Sequence, residues 1–245
     1  MTAWRRIQRT IRSDVDIETL VLFQLPKQIP ILLLDAKHFA IRKQAYTLYV
    51  GFDAIRKKPV AWTLLPHHEM RTGYDRILQA LRHEKMNIQA VVSDNDQSIK
   101  SSVNDWFPNA VQQKCAFHVL QKTFLKLNGR RLIQTQYGKR LWQIIRKITL
   151  EYDDGKKARA YFLKIKKKYP DHFKAWNIID RNLASIYQFT KRRDLPIPRT
   201  SNQIENFMGV IEQRLKTFRS SKNPNSLIKI LSAFIKIKYK LPTNM

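Results

Sequence analysis

Two short apolar runs, each followed at once by an aspartate, constrain this chain more than any other feature. Residues 31–34 read Ile-Leu-Leu-Leu before Asp35, and residues 90–93 read Ala-Val-Val-Ser before Asp94. Short runs of aliphatic and β-branched residues are typical of interior strands. We therefore predict two buried strands with a carboxylate at, or just beyond, the end of each.

The segments around these runs predict an α/β core. Strands are expected over 31–34, 45–52, 59–65, 88–92 and 110–116, and helices over 74–85, with Thr72 as its cap, and over 97–106. The order is a three-strand meander, a helix, a strand, a helix and a strand. Such an order favours one sheet with helices packed on it.

From Val119 to Arg193 the strand patterns give way to apolar residues at helical spacing. A final helix is predicted from Asn202, with an apolar stripe formed by Ile204, Phe207, Met208, Ile211, Leu215 and Phe218. The chain is therefore expected to have four parts. These are a basic N-terminal arm at 1–28, the first part of the core at 29–118, an all-helical insertion at 119–198 and the C-terminal helices of the core at 199–245.

The charge of the chain predicts a polyanionic partner. Forty-six Lys and Arg residues against 19 Asp and Glu give a formal net charge of +27, a field that attracts nucleic acid. The basic residues are spread along the chain and no apolar run is long enough to span a bilayer, so we expect no membrane association. The single cysteine, Cys115, excludes an internal disulfide and the paired thiolates of a structural zinc site. We expect a cytoplasmic, DNA-associated protein.

Three carboxylates form the candidate site. If the two acid-ended strands are parallel neighbours, Asp35 and Asp94 project side by side, where like charges require cations between them. Glu205, beside the apolar stripe of the last helix, would turn toward them when that stripe packs on the sheet. Three acids so placed bind two Mg²⁺ or Mn²⁺ ions about 3.5 to 4 Å apart, an arrangement that cleaves phosphodiesters. Each acid also has a structural interpretation, because aspartates at strand ends cap turns and Asn202 with Glu205 fits a capping box.

Taken together, these segments resemble the mutator-type DDE transposases of insertion sequences from Ile31 to Phe234. The first block is Leu-Leu-Leu-Asp35-Ala-Lys-His-Phe, and the third is Arg199-Thr-Ser-Asn-Gln-Ile-Glu205-Asn. The second runs from Val-Val-Ser-Asp94 through Trp106-Phe-Pro-Asn-Ala to Cys115-Ala-Phe-His118. It is the most specific, because an acid-ended strand, a short helix, Phe-Pro-Asn-Ala and Cys-x-x-His are improbable in this order in an unrelated core.

The resemblance implies an RNase H-like fold, in which a mixed five-stranded sheet with helices is interrupted by the all-α insertion. It implies that Asp35, Asp94 and Glu205 are catalytic metal ligands. It also implies that His118 joins them by contacting the scissile phosphate or an acidic ligand, with Cys115 packed beneath it. The implied activity is divalent-metal-dependent cleavage at transposon DNA ends and strand transfer into target DNA. Double-stranded DNA and further copies of the chain are the implied partners.

Other residues rank below these. Second-ranked ligands, near strand ends or on the last helix, are Asp53, Asp96 and Glu212. A polar turn after Pro66 holds His67, His68 and Glu69, to which we assign no role. In the insertion, most aromatic residues are expected in the core and the positive surface on DNA phosphates; these aromatic residues are Trp142, Tyr161, Trp176 and Tyr187.

Two alternative functions stay open from the sequence. Residues 1–34 alone precede Asp35, whereas the transposases that the chain resembles carry an upstream DNA-recognition region. A truncated, non-catalytic DNA-binding regulator or inhibitor derived from a transposase is the first alternative. A structure-selective nuclease on the same fold, which cuts branched DNA without transferring strands, is the second.

Overall fold

The computed structural model describes residues 20–23, 28–41, 44–66, 70–94, 96–217 and 224–239. Its strands are β1 (Val21–Leu22), β2 (Ile31–Ile41), β3 (Gln44–Asp53), β4 (Lys58–Leu65), β5 (Ala90–Ser93) and β6 (Val111–Lys114). They form a six-stranded mixed sheet in the order β1-β4-β3-β2-β5-β6, with β2, β3 and β4 antiparallel and β5 parallel to β6. The predicted α/β class with a mixed sheet and the predicted order of core elements are confirmed, but the sheet has six strands where five were expected, because β1 adds to its edge beside β4.

The helices are α1 (Arg71–His83), α2 (Gln97–Trp106), α3 (Ala116–Lys126), α4 (Gly129–Leu132), α5 (Gln136–Arg146), α6 (Gly155–Lys168), α7 (Phe173–Ile186), α8 (Asn202–Thr217) and α9 (Pro224–Tyr239). Two compact units are present. The first contains the described residues of 1–89, 97–110 and 202–245, and the second contains those of 90–96 and 111–201. Within the described ranges, no helix has both the length and the apolar character that a membrane crossing requires. The four-part division at 28, 118 and 198 stays a prediction.

Helices cover both faces of β3 in the first unit. Side chains alternate between the two faces of a strand, so Tyr49 and Phe52 point in opposite directions. The ring of Tyr49 meets that of Tyr74 on α1 edge to face, with centroids 5.0 Å apart. On the other face, the ring of Phe52 lies 5.8 Å from Phe207 on α8 and 6.4 Å from Tyr239 on α9. Thus α1 covers one face, and α8 and α9 cover the other.

The second unit has its own hydrophobic core, to which α3, α5, α6 and α7 contribute. Its buried members include Val119, Leu120, Leu141, Ile145, Ile148, Phe162, Ile165, Ile179, Leu183 and Ile186. Trp176 and Tyr187 are buried in the same core, and Trp142 and Tyr161 pack against it. The prediction that most of these four aromatic residues belong to the core is therefore confirmed.

Several local predictions were wrong. The strand expected to end at Leu34 continues to Ile41, because β2 pairs with β3 along its whole length in a hairpin, and Asp35 lies opposite Val50 inside that ladder. Thr72 does not cap α1, because the helix already includes Arg71. Within the predicted N-terminal arm at 1–28, which stays a prediction, β1 pairs antiparallel with β4. Phe218 of the predicted stripe lies outside the described residues.

Candidate active site

Asp35 projects from the middle of β2 and is half-buried. One of its carboxylate oxygens, Oδ1, accepts a hydrogen bond from the N–H of Ala36 at 2.9 Å. Because side chains alternate along a strand, Asp35 shares its face of β2 with Leu33 and Lys37. The surroundings of those two neighbours therefore tell where the Asp35 carboxylate points.

The shared face is the one that α8 covers. Phe52, whose partner on β2 stands two residues before Asp35, packs its ring 5.8 Å from that of Phe207 on α8. Two residues after Asp35, the Nζ of Lys37 lies 3.0 Å from Oε2 of Glu212, also on α8. These contacts bracket Asp35 along the strand, and its carboxylate therefore projects toward α8.

Glu205 lies in the first turn of α8 and is half-buried. With 3.6 residues per turn, Glu205 and Glu212 lie on the same side of the helix, about 10 Å apart along its axis. The side of α8 that meets Lys37 thus also carries Glu205. Asn202 is the first residue of the helix.

Asp94 directly follows β5, as predicted, and is half-buried. Its Oδ1 accepts a hydrogen bond from the N–H of Asp96 at 3.0 Å. This is the turn-capping contact that the sequence left open for an aspartate at a strand end. Asp96 itself is exposed. One oxygen of Asp94 therefore shapes the turn after β5 and fixes the orientation of its carboxylate.

Cys115 holds three segments of the second unit together. Its N–H donates to the carbonyl oxygen of Ser93 at 2.6 Å, and its Sγ accepts a hydrogen bond from the N–H of Ser201 at 3.3 Å. The next N–H along the chain, that of Ala116, donates to the carbonyl oxygen of Arg199 at 2.9 Å. The end of β5, the start of α3 and the segment leading into α8 therefore meet at one buried side chain.

Asp94 follows directly from one of those segments, because Ser93 is the residue before it. The cysteine thus fixes the backbone next to Asp94.

Cys115 and His118 form a hydrogen-bonded pair at the start of α3. Burial raises the pKa of the Cys115 thiol, but hydrogen bonds with His118 and Ser201 outweigh burial, so the pKa lies below its usual range. His118 is half-buried. The thiol therefore acts as a buried hydrogen-bonding anchor beside the imidazole.

Within the second unit, the sulfur of Cys115 is a poor candidate for binding Mg²⁺. A thiolate is a soft donor unsuited to that ion, whereas the carboxylate oxygens of an acid such as Asp94 suit it. The sulfur also accepts the N–H of Ser201.

Two second-ranked acids have structural partners. Asp53 is buried, and its Oδ1 accepts hydrogen bonds from the N–H groups of Ile55 at 2.8 Å and Arg56 at 3.1 Å. The guanidinium of Arg56 lies 2.8 Å from its other oxygen. Asp53 therefore caps the turn between β3 and β4, and Glu212 is paired with Lys37. The polar-turn residues lie outside the described part of the chain: His67, His68 and Glu69.

Arg199 belongs to the third sequence block, and the structure shows what it does. Its guanidinium donates to the carbonyl oxygens of Leu150 and Tyr152 and lies 3.1 Å from Oδ1 of Asp153. It also stacks over the ring of Phe189, 4.5 Å from the centroid. The sequence marked Arg199 only by its place in a motif, because most of its partners lie almost 50 residues upstream. Arg199 therefore joins the segment before α8 to the segment between α5 and α6.

The chain is an α/β protein with a mixed sheet and a second, helical core, and it carries acids on β2, after β5 and at the start of α8. The comparison with known families then gives a specific assignment. The profile of the family described as "Transposase, Mutator family" matches residues 13–239, and the chain belongs to that family. The resemblance seen in the sequence is thereby confirmed.

One curated relative is the transposase for insertion sequence element IS1201 of Lactobacillus helveticus. It is 21% identical over 192 residues, which cover 75% of this chain and 50% of the relative. The chain therefore spans about half the length of this curated relative.

Solved structures give only low overall similarity. The catalytic core domain of HTLV-2 integrase in complex with magnesium, in its dimeric form, is 13% identical with a TM-score of 0.29, over 51% of this chain and 88% of that one. The simian T-cell lymphotropic virus intasome in complex with PP2A regulatory subunit B56 gamma is 11% identical with a TM-score of 0.28. That match covers 55% of this chain and 54% of that one.

Proposed function

We propose that this chain is the catalytic part of a DDE transposase, which cleaves transposon DNA ends and joins them to target DNA through Asp35, Asp94 and Glu205. The observation that carries the proposal is the direction of Asp35. Its carboxylate projects toward α8, beside a strand–helix contact of 3.0 Å between Lys37 and Glu212. The same side of α8 carries Glu205, so two of the three acids belong to one strand–helix pair.

The third acid, Asp94, is positioned by hydrogen bonds of the neighbouring backbone. Asp94 follows Ser93, whose carbonyl is bonded to Cys115, and the sulfur of Cys115 is bonded to the segment that leads into the helix of Glu205. We infer that the three carboxylates close on one metal site, although they are widely separated in the sequence. Family membership supports this inference.

The donor set fits the ions that the sequence predicts, because carboxylate oxygens are the preferred ligands of Mg²⁺ and suit Mn²⁺. Two such ions, when bound, activate the attacking oxygen and stabilise the leaving oxygen of a phosphodiester. The residues of the chain hold the ligands in place. The N–H of Ala36 bonds to one oxygen of Asp35, and the N–H of Asp96 bonds to one oxygen of Asp94. The two carboxylates are therefore already oriented before a metal ion binds, and they lose little conformational freedom when it does.

His118 has a supporting part in the proposal. Its hydrogen bond with Cys115 orients the imidazole from the first turn of α3. We place the imidazole against the scissile phosphate or against an acidic ligand, where its positive form stabilises negative charge. Glutamine in its place keeps a hydrogen-bonding group but removes that charge.

DNA is the proposed substrate and the chain is proposed to act as a homo-oligomer, because the pairing of two transposon ends requires more than one active site. The net charge of +27 supports a polyanionic substrate. Binding to backbone phosphates releases counterions, so affinity is expected to fall steeply as salt is raised.

The test uses labelled duplex DNA that carries the ends of the native element, incubated with the full chain and Mg²⁺, Mn²⁺ or EDTA. We expect metal-dependent nicking at the element boundary, followed by joining to a target plasmid. Asp35→Asn, Asp94→Asn and Glu205→Gln should each reduce nicking at least about 100-fold while leaving binding in place.

A matched control lies close to Asp94. Asp96→Asn changes an exposed acid two residues from Asp94, and it should nick like the wild type. Binding without nicking under either metal would overturn the proposal and support the non-catalytic DNA-binding regulator. Nicking of branched DNA without any joined product would instead support a structure-selective nuclease.

A further inference from the structure

Aromatic rings that the core does not cover lie on the second unit. Tyr137, at the start of α5, is 48% exposed, and Phe173, at the start of α7, is 58% exposed. Isolated exposed rings are ordinary in proteins. These two rings, however, are part of a group, which we call the Tyr137 surface and define by Tyr137, Lys168, Tyr169, His172, Phe173 and Lys174.

The Tyr137 surface is organised by direct contacts. The hydroxyl of Tyr137 lies 3.0 Å from Nε2 of His172, and its ring centroid lies 5.9 Å from that of Tyr169. His172 in turn meets the ring of Trp176 at 6.4 Å. Trp176 is fully buried and donates from its indole N–H to the carbonyl of Tyr169 at 2.6 Å. The ring of Tyr137 is therefore held against a buried base, and Phe173 directly follows His172 in the sequence.

Cations flank the rings. The Nζ of Lys168 lies 5.6 Å from the centroid of Tyr169, and the Nζ of Lys174 lies 5.9 Å from that of Phe173. The carboxylate of Asp171 also acts on Tyr137: burial raises the pKa of Tyr137 most, and Tyr169 and Asp171 raise it further. Open rings with adjacent ammonium groups match a ligand that has flat apolar faces and negative charge.

We propose that the Tyr137 surface binds unpaired nucleotides of single-stranded DNA, with bases stacked on Tyr137 and Phe173 and phosphates beside Lys168 and Lys174. Base faces are covered by their neighbours in a duplex, whereas unpaired bases stack on aromatic side chains whatever their sequence. The proposal rests on the proposed action on DNA only for the source of unpaired nucleotides, because strands beside a nick at an element end can separate.

The test measures binding of the full chain in EDTA, where no cleavage can interfere, to fluorescein-labelled oligothymidine and to a duplex of equal length. We expect Tyr137→Ala and Phe173→Ala each to weaken binding of oligothymidine about tenfold, and binding of the duplex less than about twofold. Equal losses on both DNAs, or no loss on either, would overturn the proposal.

Conservative variants separate stacking from other effects. Tyr137→Phe keeps the ring and removes only the hydroxyl that contacts His172, so it should bind oligothymidine like the wild type. Phe173→Leu keeps apolar bulk without an aromatic face and should lose affinity as Phe173→Ala does. If Phe173→Leu binds like the wild type, the ring makes only a general apolar contact, as a protein partner would require, and stacking is excluded.

Failure of this proposal and failure of the proposed function are distinguishable. Loss of oligothymidine binding in the alanine variants does not depend on metal or on intact carboxylates, so it can be seen in a chain that never cleaves DNA. Conversely, suppose that Phe173→Ala nicks element ends efficiently and binds oligothymidine like the wild type. That result would overturn the proposal for the Tyr137 surface and leave the proposed function in place. Unchanged thermal unfolding of each variant checks that the fold is intact.

Discussion

Lys37 and Glu212 join the strand of one proposed metal ligand to the helix of another, with Nζ and Oε2 3.0 Å apart. Lys37 stands two residues after Asp35 on β2, and Glu212 stands two turns after Glu205 on α8. The side chains are 40% and 36% exposed, so water screens the pair. The ion pair therefore contributes more to the orientation of α8 on β2 than to the stability of the fold.

The ion pair should be energetically small. We expect Lys37→Ala, Glu212→Ala and the double variant to give a coupling energy of about 0.2 to 1 kcal/mol in urea unfolding, because exposed pairs gain little in water. The coupling should shrink further in 1 M salt. A coupling above about 3 kcal/mol would show that the pair is desolvated, contrary to its exposure.

Arg199 should be much more sensitive to substitution. Arg199→Lys retains the charge but loses the planar fork that bonds two carbonyl oxygens and stacks over Phe189. We expect it to lower the free energy of unfolding by about 2 kcal/mol. Arg192→Lys is the matched control, because Arg192 pairs with the 60%-exposed Asp194, and it should change stability by less than about 0.5 kcal/mol. Equal effects would mean that the Arg199 contacts add nothing.

Tyr187 should make the stability of the chain sensitive to alkaline pH. Burial raises the pKa of Tyr187 to about 12, and its hydroxyl donates to the carbonyl of Ile148 at 2.6 Å. The folded chain holds this proton more tightly than the unfolded chain, so the stability it contributes is complete below pH 10 and is lost as pH rises toward 12. Tyr187→Phe should therefore be less stable than the wild type at pH 8, by about 1 kcal/mol or more. The difference in unfolding free energy between the wild type and Tyr187→Phe should become smaller by pH 11.5. A difference that stays constant with pH would contradict the raised pKa of Tyr187.

Gly73 is required by the close approach of α1 to β3. A Cβ at this position would lie only 2.3 Å from Cε2 and Cζ of Tyr49, and both residues are buried. Gly73→Ala should lower the free energy of unfolding by about 2 kcal/mol or more through overpacking. Gly209→Ala on α8 is the control, because a Cβ there meets no atom within 4 Å, and it should raise helix stability by about 0.5 to 1 kcal/mol. Thermal unfolding of the two variants should therefore shift in opposite directions.

Much of the fold could be predicted because local patterns agree with the tertiary structure. Helix α2 over Gln97–Trp106 and the start of α8 at Asn202 agree with their predictions. The continuation of β2 past Asp35 was not predictable from hydrophobicity, because pairing with β3 sustains a strand through the polar residues Asp35 and Lys37. The two-residue β1 exists only through its pairing with β4, which no local pattern records.

The candidate site could be predicted less completely. Motif order and residue type point to Asp35, Asp94 and Glu205, but not to the contacts that orient them. Cys115 illustrates the limit, because its sulfur bonds to a backbone N–H 86 residues away in the sequence. Partners so distant are brought together by the fold of the insertion and leave no periodicity at either end.

That long-range contact also bears on how such a chain can diverge. The two ends of the insertion are held together at Cys115, because Ala116 is bonded to Arg199 and Ser201 is bonded to the sulfur. The intervening segment 117–198 is therefore a closed loop of chain whose ends are fixed. Chain entropy penalises a longer closed segment only slowly, by about 0.6 kcal/mol for each doubling of length. Evolution is therefore free to lengthen, shorten or replace the segment while both of its anchored ends stay where they are.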